Sequence, residues 1–215
     1  MAQRTIHLLL GKIMLEQVKI KNPDRFLLGN VLPDAIESLS LRNTSHFIKE
    51  LEQEDKWYFD LYGFREQYGD LMVVDDLYLG YYMHLVEDAF YRDFFYNGHC
   101  SMPRTREEVP LLHQDYHILN SYIVQKYQLQ NILDLAIPLK DTPLLDLTAF
   151  FVDEFLTELS HDFTEQIQGK TTFLTESLLD QFIEHFLPLA IEEAKSIRNG
   201  ASILKVTDFT WPAKR

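Results

Sequence analysis

The stretch Leu79-Gly-Tyr-Tyr-Met-His-Leu-Val-Glu-Asp-Ala-Phe90 constrains the fold more than any other part of the chain. His84 and Asp88 are four residues apart, so on a helix they stand on one face, a turn apart. The rest of that face is apolar, with Leu77, Tyr81, Leu85 and Tyr91 or Phe95 recurring at helical spacing. An imidazole and a carboxylate in a core-facing stripe must be paired, held neutral or bound to a metal, because burying an uncompensated charge is very costly. A lone His-x-x-x-Asp is more often a hydrogen-bonded pair that stiffens a core. The remaining residues decide between the two readings.

Helical periodicity recurs along the chain. Residues 5–21 carry the stripe Ile6, Leu9, Leu10, Ile13, Met14 and Val18, with Lys12, Glu16 and Lys19 opposite and His7 one turn before its centre. Asn22-Pro-Asp24 breaks that helix. A short apolar segment, 25–34, then ends at Pro33-Asp34; Gly29 permits close backbone approach and Pro33 fixes the chain before the carboxylate. Asp34 is either a turn residue or a rigidly presented ligand. Thr44 or Ser45 is placed to cap a helix beginning near His46. Residues 52–70 predict a helix with Trp57, Tyr58, Phe59 and Phe64 on the core, followed by the central helix over 73–96, which Gly98 ends.

Beyond a loop at 99–110, a helix opens with His113 and runs to about Tyr127. His113 and His117 share a face, as ligands on zinc-binding helices do, and Asp115 points elsewhere. A short helix is expected within 128–140, and longer ones over 144–168 and 175–198, the last capped by Thr175 and closed by Asn199-Gly200. The tail, 201–215, is expected to be extended and to tuck an aromatic onto the body. Strand alternation is nowhere convincing. The expectation is an all-α single domain, 1–215, of about seven to nine helices.

The formal charge of −13 argues against a broad footprint on nucleic-acid duplex, though a small phosphoester in a local pocket remains compatible with it. Cys100 is the only cysteine, which excludes an internal disulfide and a thiolate zinc knuckle. Neither a signal-peptide pattern nor a run of apolar residues long enough for a transmembrane segment is present, so a cytoplasmic location is expected.

His7, Asp34, His46, His84 and Asp88 form a set of nitrogen and oxygen donors that suits zinc and tolerates manganese or iron. Without thiolates, such a set points to a catalytic site. The succession His … Leu-Gly-Asn-Val-Leu-Pro-Asp … Ser-His-Phe … Leu-Gly-Tyr-Tyr-Met-His-Leu-Val-Glu-Asp, within residues 5–95, resembles the zinc-dependent phospholipase C family. That family shares its all-helical fold with single-strand-specific zinc nucleases. The resemblance implies one zinc at Asp34, His46, His84 and Asp88, a second at His7 with Asp88 bridging, and a third at His113 and His117. One to three ions are thus expected.

Two departures stand out. Secreted members use the amino group of the mature N-terminal residue as a ligand, exposed by removing a leader, and no leader is visible here. His117 stands where the third site usually has a carboxylate. The implied activity is metal-dependent hydrolysis of a small phosphoester by an activated water, with Asp34 serving as ligand or as proton acceptor. Two alternatives stand beside it. One is an HD-type phosphohydrolase acting on nucleotides, for which His161-Asp162 is the one adjacent His-Asp pair. The other is a non-catalytic, metal-binding helical protein that acts by protein contact.

Overall fold

The structure is a computed structural model that describes residues 2–98, 102–131, 142–146, 148, 150–205 and 209–212. Its helices are α1 (Arg4–Leu15), α2 (Pro23–Val31), α3 (Arg42–Ser45), α4 (Leu61–Val74), α5 (Asp76–Arg92), α6 (Val109–Tyr127), α7 (Val152–Thr164) and α8 (Glu176–Arg198). Three short strands, β1 (Ile48–Leu51), β2 (Lys56–Phe59) and β3 (Thr210–Pro212), complete it. No described helix is long and apolar enough to cross a membrane.

The helix predicted around His84 is the axis of the molecule. Asp75 caps α5 by accepting the Leu77 N–H, and every residue from Asp76 to Tyr91 is buried. Leu77, Tyr81, Leu85 and Tyr91 lie in the core as the stripe requires, each large apolar side chain contributing about 1.5–3 kcal/mol. Helix α8 packs on the C-terminal end of α5, where Phe182 and Phe186 meet Tyr91 and Phe90 at ring separations of 5.5 and 5.1 Å. Asp93–Gly98 continues α5 as a π-helical turn.

Helix α2 makes the closest approach to α5. Asn22 caps it through the Arg25 N–H, and Pro23 occupies its first turn. A methyl group added at Gly29 would run into the Leu77 carbonyl, and one at Gly80 into the Phe26 carbonyl. The two glycines let the helix backbones touch, which brings the residues after Gly29 against the His84 face.

The all-α expectation holds for most of the chain and fails at one edge. Strand β2 replaces the start of the helix expected over 52–70. Its residues pair antiparallel with β1, Ile48 opposite Phe59, and with β3, Trp57 opposite Trp211. Asp60 caps α4 through the Gly63 N–H, so the helix begins only at Leu61. In the tail, Trp211 lies 5.0 Å from Phe59 and Phe209 4.6 Å from Phe90 between ring centres.

Other boundaries also move. Helix α1 ends at Leu15. His46 follows α3 as its cap residue instead of opening a helix. Phe47 then takes a left-handed φ of 51°, and the chain reverses into β1. The helix expected over 144–168 is a turn at Pro143–Asp146 and then α7. Phe151, just before α7, gives its N–H to the Ala35 carbonyl at 2.8 Å, which ties the segment to the end of α2. The expected short helix lies mostly outside the described residues, which stop at 131 and resume at 142; Cys100 also lies outside them.

Candidate metal centre

Four segments deliver donors to one buried point. Helix α1 carries His7, the 3-10 turn Leu32–Asp34 after α2 carries Asp34, the end of α3 carries His46, and α5 carries His84 and Asp88. The His46 Nε2 lies 3.2 Å from the His84 Nε2 and 3.2 Å from the Asp34 Oδ1. Asp88 Oδ2 is 3.6 Å from the His46 Nε2 and 3.9 Å from the His84 Nε2, while its Oδ1 is 3.5 Å from the His7 Nε2. The His7 and His84 rings stack with centres 3.8 Å apart. Two donor groups result, His7 with Asp34 and His84, and His46 with His84 and Asp88, each spanning no more than 4.8 Å.

The far nitrogens of these rings decide what the near ones can do. His84 Nδ1 lies 2.9 Å from the Asn30 carbonyl. A carbonyl only accepts, so Nδ1 carries the hydrogen and Nε2 presents a bare lone pair. Ser45 directs its hydroxyl to the Arg42 carbonyl and lies 2.8 Å from His46 Nδ1. Its oxygen is thereby left to accept from Nδ1, and His46 Nε2 is bare as well. His7 Nδ1 lies 2.5 Å from the Glu87 Oε2. These tautomers, assigned from the hydrogen-bond network, aim the lone pairs of His46 and His84 at the carboxylates, and a neutral His7 donating from Nδ1 would add a third. His7 Nε2 and Asp88 Oδ2 are buried without a hydrogen-bond partner. Lone pairs converging in a dry core repel unless a cation lies between them.

An outer layer holds the donors in place, as outer groups hold metal ligands in general. Asn30 uses its carbonyl for His84 and its side-chain amide to donate to Glu87 Oε1 at 2.9 Å. One residue of α2 therefore orients two stacked imidazoles, one directly and one through Glu87. Tyr81 gives its hydroxyl hydrogen to the Ser45 carbonyl at 2.5 Å and so fixes the turn that ends in His46. The Ala2 N–H donates to Asp88 Oδ1 at 2.9 Å.

Without a metal, the cluster divides its charge unevenly. Burial alone would lower the His7 pKa, but the Asp88 and Glu87 carboxylates outweigh it and hold the pKa near 10. Burial and the charge on His7 push His84 down to about 3. Burial raises Glu87 to about 7 against the pull of His7 and Asn30. For Asp34 and Asp88 burial acts upward, but the neighbouring imidazoles keep both carboxyls below the usual range.

The cluster reaches solvent at one place. Side chains of His7, His46, His84 and Asp88 are at most 1% exposed, whereas Asp34 is 20% exposed. Asp34 lines a cleft of about 870 Å³ together with Ala2, Arg42, His113, Tyr116 and His117. His113 and His117 thus face the cleft that Asp34 faces, but neither joins a donor group among the described residues. His117 lies 3.4 Å from the Glu165 carboxylate. Of the other histidines, His161 and His185 are exposed, and Asp162 is bound by Arg4 at 2.5 Å.

Glu87, Asn30 and Arg42 were not indicated by the spacing argument. Glu87 sits beside Asp88, and its neighbour's periodicity placed it off the ligand face. Asn30 follows Gly29, whose small size was the available signal. Compared with known protein families, curated proteins and solved structures, the chain matches none.

Proposed function

We propose that this protein is a metal-dependent hydrolase of small phosphoric esters, of the phospholipase C type that the ordering of its histidines and aspartates resembles. The observation that carries the reading is the pair of overlapping donor groups sharing His84, one of which meets the cleft through Asp34, with His7 Nε2 and Asp88 Oδ2 left without a hydrogen-bond partner among them. The donor set fits a divalent ion: three imidazole nitrogens with fixed tautomers and two carboxylates, each supported from behind. Zinc suits such ligands best, and manganese or iron would be accepted. His46, His84, Asp34 and Asp88 would hold one ion, and His7 with Asp88 a second.

The chemistry that such ions supply is Lewis-acid polarisation of a phosphoryl oxygen and acidification of a water to a pKa near 7. The protein's own residues do the rest. Asp34, the one cluster donor that lines the cleft, serves either as a ligand or as acceptor of the proton from the attacking water, since a carboxylate committed to an ion is not a free base. Glu87 and Asn30 keep the hydrogens of His7 and His84 on the nitrogens that face away from the cluster. Burial of the other donors excludes bulk water from all but the Asp34 side. The resemblance carries one further expectation, an amino-terminal amine as ligand. The Ala2 nitrogen, 2.9 Å from Asp88 Oδ1, would supply it if Met1 is removed, and an intact-mass measurement reports whether it is.

No observation favours the HD-type alternative, since His161 points to solvent and Asp162 is engaged by Arg4. The test compares a chromogenic phosphodiester with nucleoside monophosphates, using protein purified without chelator or affinity tag. Metal-dependent turnover of the phosphodiester, abolished in Asp34→Ala, is the expected result. Bound metal with no turnover of any phosphoester would leave the non-catalytic reading in its place.

A further inference from the structure

We propose that Arg42 is the anion-gripping residue of a phosphate subsite in the cleft, beside the Asp34 edge of the donor cluster. The inference rests on the hydrolase reading for the identity of the anion, and on geometry for the site. The two arginines that line the cleft, Arg4 and Arg42, differ in one respect. Arg4 is neutralised, with Asp162 at 2.5 Å and Glu158 at 3.0 Å. Arg42 makes no ion pair with any carboxylate among the described residues, and its Nε is buried without a hydrogen-bond partner. In a chain with a formal charge of −13, an arginine left unpaired in a cleft is unusual.

The location of Arg42 is tied to the cluster. It opens α3, and its carbonyl accepts the N–H of His46 at 2.9 Å and the Ser45 hydroxyl at 3.3 Å. The root of the side chain is therefore set by the same turn that sets a cluster donor. His113 and Tyr116 line the same cleft as Arg42. Glu37, Glu154 and Glu158 also line the cleft and would repel an anion that met no cation there. A guanidinium presents a planar fork that matches two phosphoryl oxygens, which an ammonium cannot do. These features fit a phosphoryl group whose remaining oxygens turn toward the Asp34 side.

The experiment titrates inorganic phosphate into the zinc-loaded protein by calorimetry, for the wild type, Arg42→Ala and Arg42→Lys. The KM and kcat for a chromogenic phosphodiester are measured in parallel. Arg42→Ala should weaken phosphate binding about tenfold or more, the size expected for a lost charge-assisted hydrogen bond. Arg42→Lys should recover part of it. Zinc content and unfolding temperature should be unchanged, because only the backbone of Arg42 supports the fold, and the loss should fall on KM more than on kcat. Unchanged phosphate affinity in Arg42→Ala, or no measurable phosphate binding by the wild type, overturns the proposal. The two readings fail separately: phosphate binding that depends on Arg42 in a protein without hydrolysis sinks only the hydrolase, and hydrolysis with an unaltered KM in Arg42→Ala sinks only the subsite.

Discussion

Asp115 and Asp88 are both buried aspartates on helices, with 1% and 0% exposure, yet their surroundings differ in kind. Asp115 accepts the N–H groups of Thr172, Phe173 and Leu174 at 2.6–2.9 Å, and both of its oxygens are satisfied. Glu193 behaves likewise, accepting from Tyr82, Ser202 and the Ile203 N–H. Each is a clamp that fastens a chain crossing. Asp88 Oδ2 meets no hydrogen at all, and its neighbours are lone pairs on His46 and His84. A buried carboxylate used for structure finds donors; one left among acceptors is an arrangement that a bound cation would satisfy. The difference separates the candidate centre from the core without reference to any relative.

The comparison predicts opposite results from two substitutions. His84→Ala should abolish or nearly abolish metal binding, since His84 belongs to both donor groups, while His161→Ala and His185→Ala should leave metal content as it was. Elemental analysis of the three variants decides; equal metal loss in all of them would contradict the assignment. Asp115→Ala should do the reverse, retaining full metal while losing about 2–4 kcal/mol of stability, because it strands backbone donors in the core. Denaturant unfolding checks it.

A smaller effect is expected one layer out. Glu87→Gln keeps the volume but weakens the acceptor for His7 Nδ1, so affinity for the His7 ion should fall about 10–100-fold while the fold persists. Competition with a zinc chelator measures it. A fall in folding stability with unchanged zinc affinity would make Glu87 a clamp like Glu193.

The metal-free protein should also betray the cluster through pH. The His7 pKa is raised in the folded state to about 10. Its contribution is therefore complete below the unfolded value near 6.5 and is lost as pH rises through 10. Glu87, raised to about 7, acts in the same direction at lower pH. The unfolding temperature of chelated protein should thus decline between pH 7 and 10, a decline that His7→Ala removes. The least effect is expected from His113→Ala combined with His117→Ala: metal content should be unchanged, with kcat/KM lowered by no more than about tenfold.

Some of this architecture was legible in the residues and some was not. Helical spacing located α5, α8 and the face that carries His84 and Asp88, because one buried stripe per helix dominates the pattern. Gly29 announced a close approach, but not that Gly80 would receive it, since a contact between helices has no local period. The 52–70 segment misled because aromatic side chains suit a helix face and a strand equally. What makes Lys56–Phe59 a strand is pairing with β1 on one side and with β3, some 150 positions away in sequence, on the other. His46 was placed among the donors by order and residue type, while its actual support, the Ser45 and Tyr81 hydrogen bonds, arises only from the packed turn.

Elemental analysis of wild-type protein purified without tag or chelator tests most directly whether the converging donors hold a cation. Close to two equivalents of a divalent transition metal, chiefly zinc, are predicted, falling toward zero in His84→Ala. A wild-type protein that carries no such metal and takes up none when zinc is supplied would contradict the claim, and the cluster would then be a polar core held by protons alone.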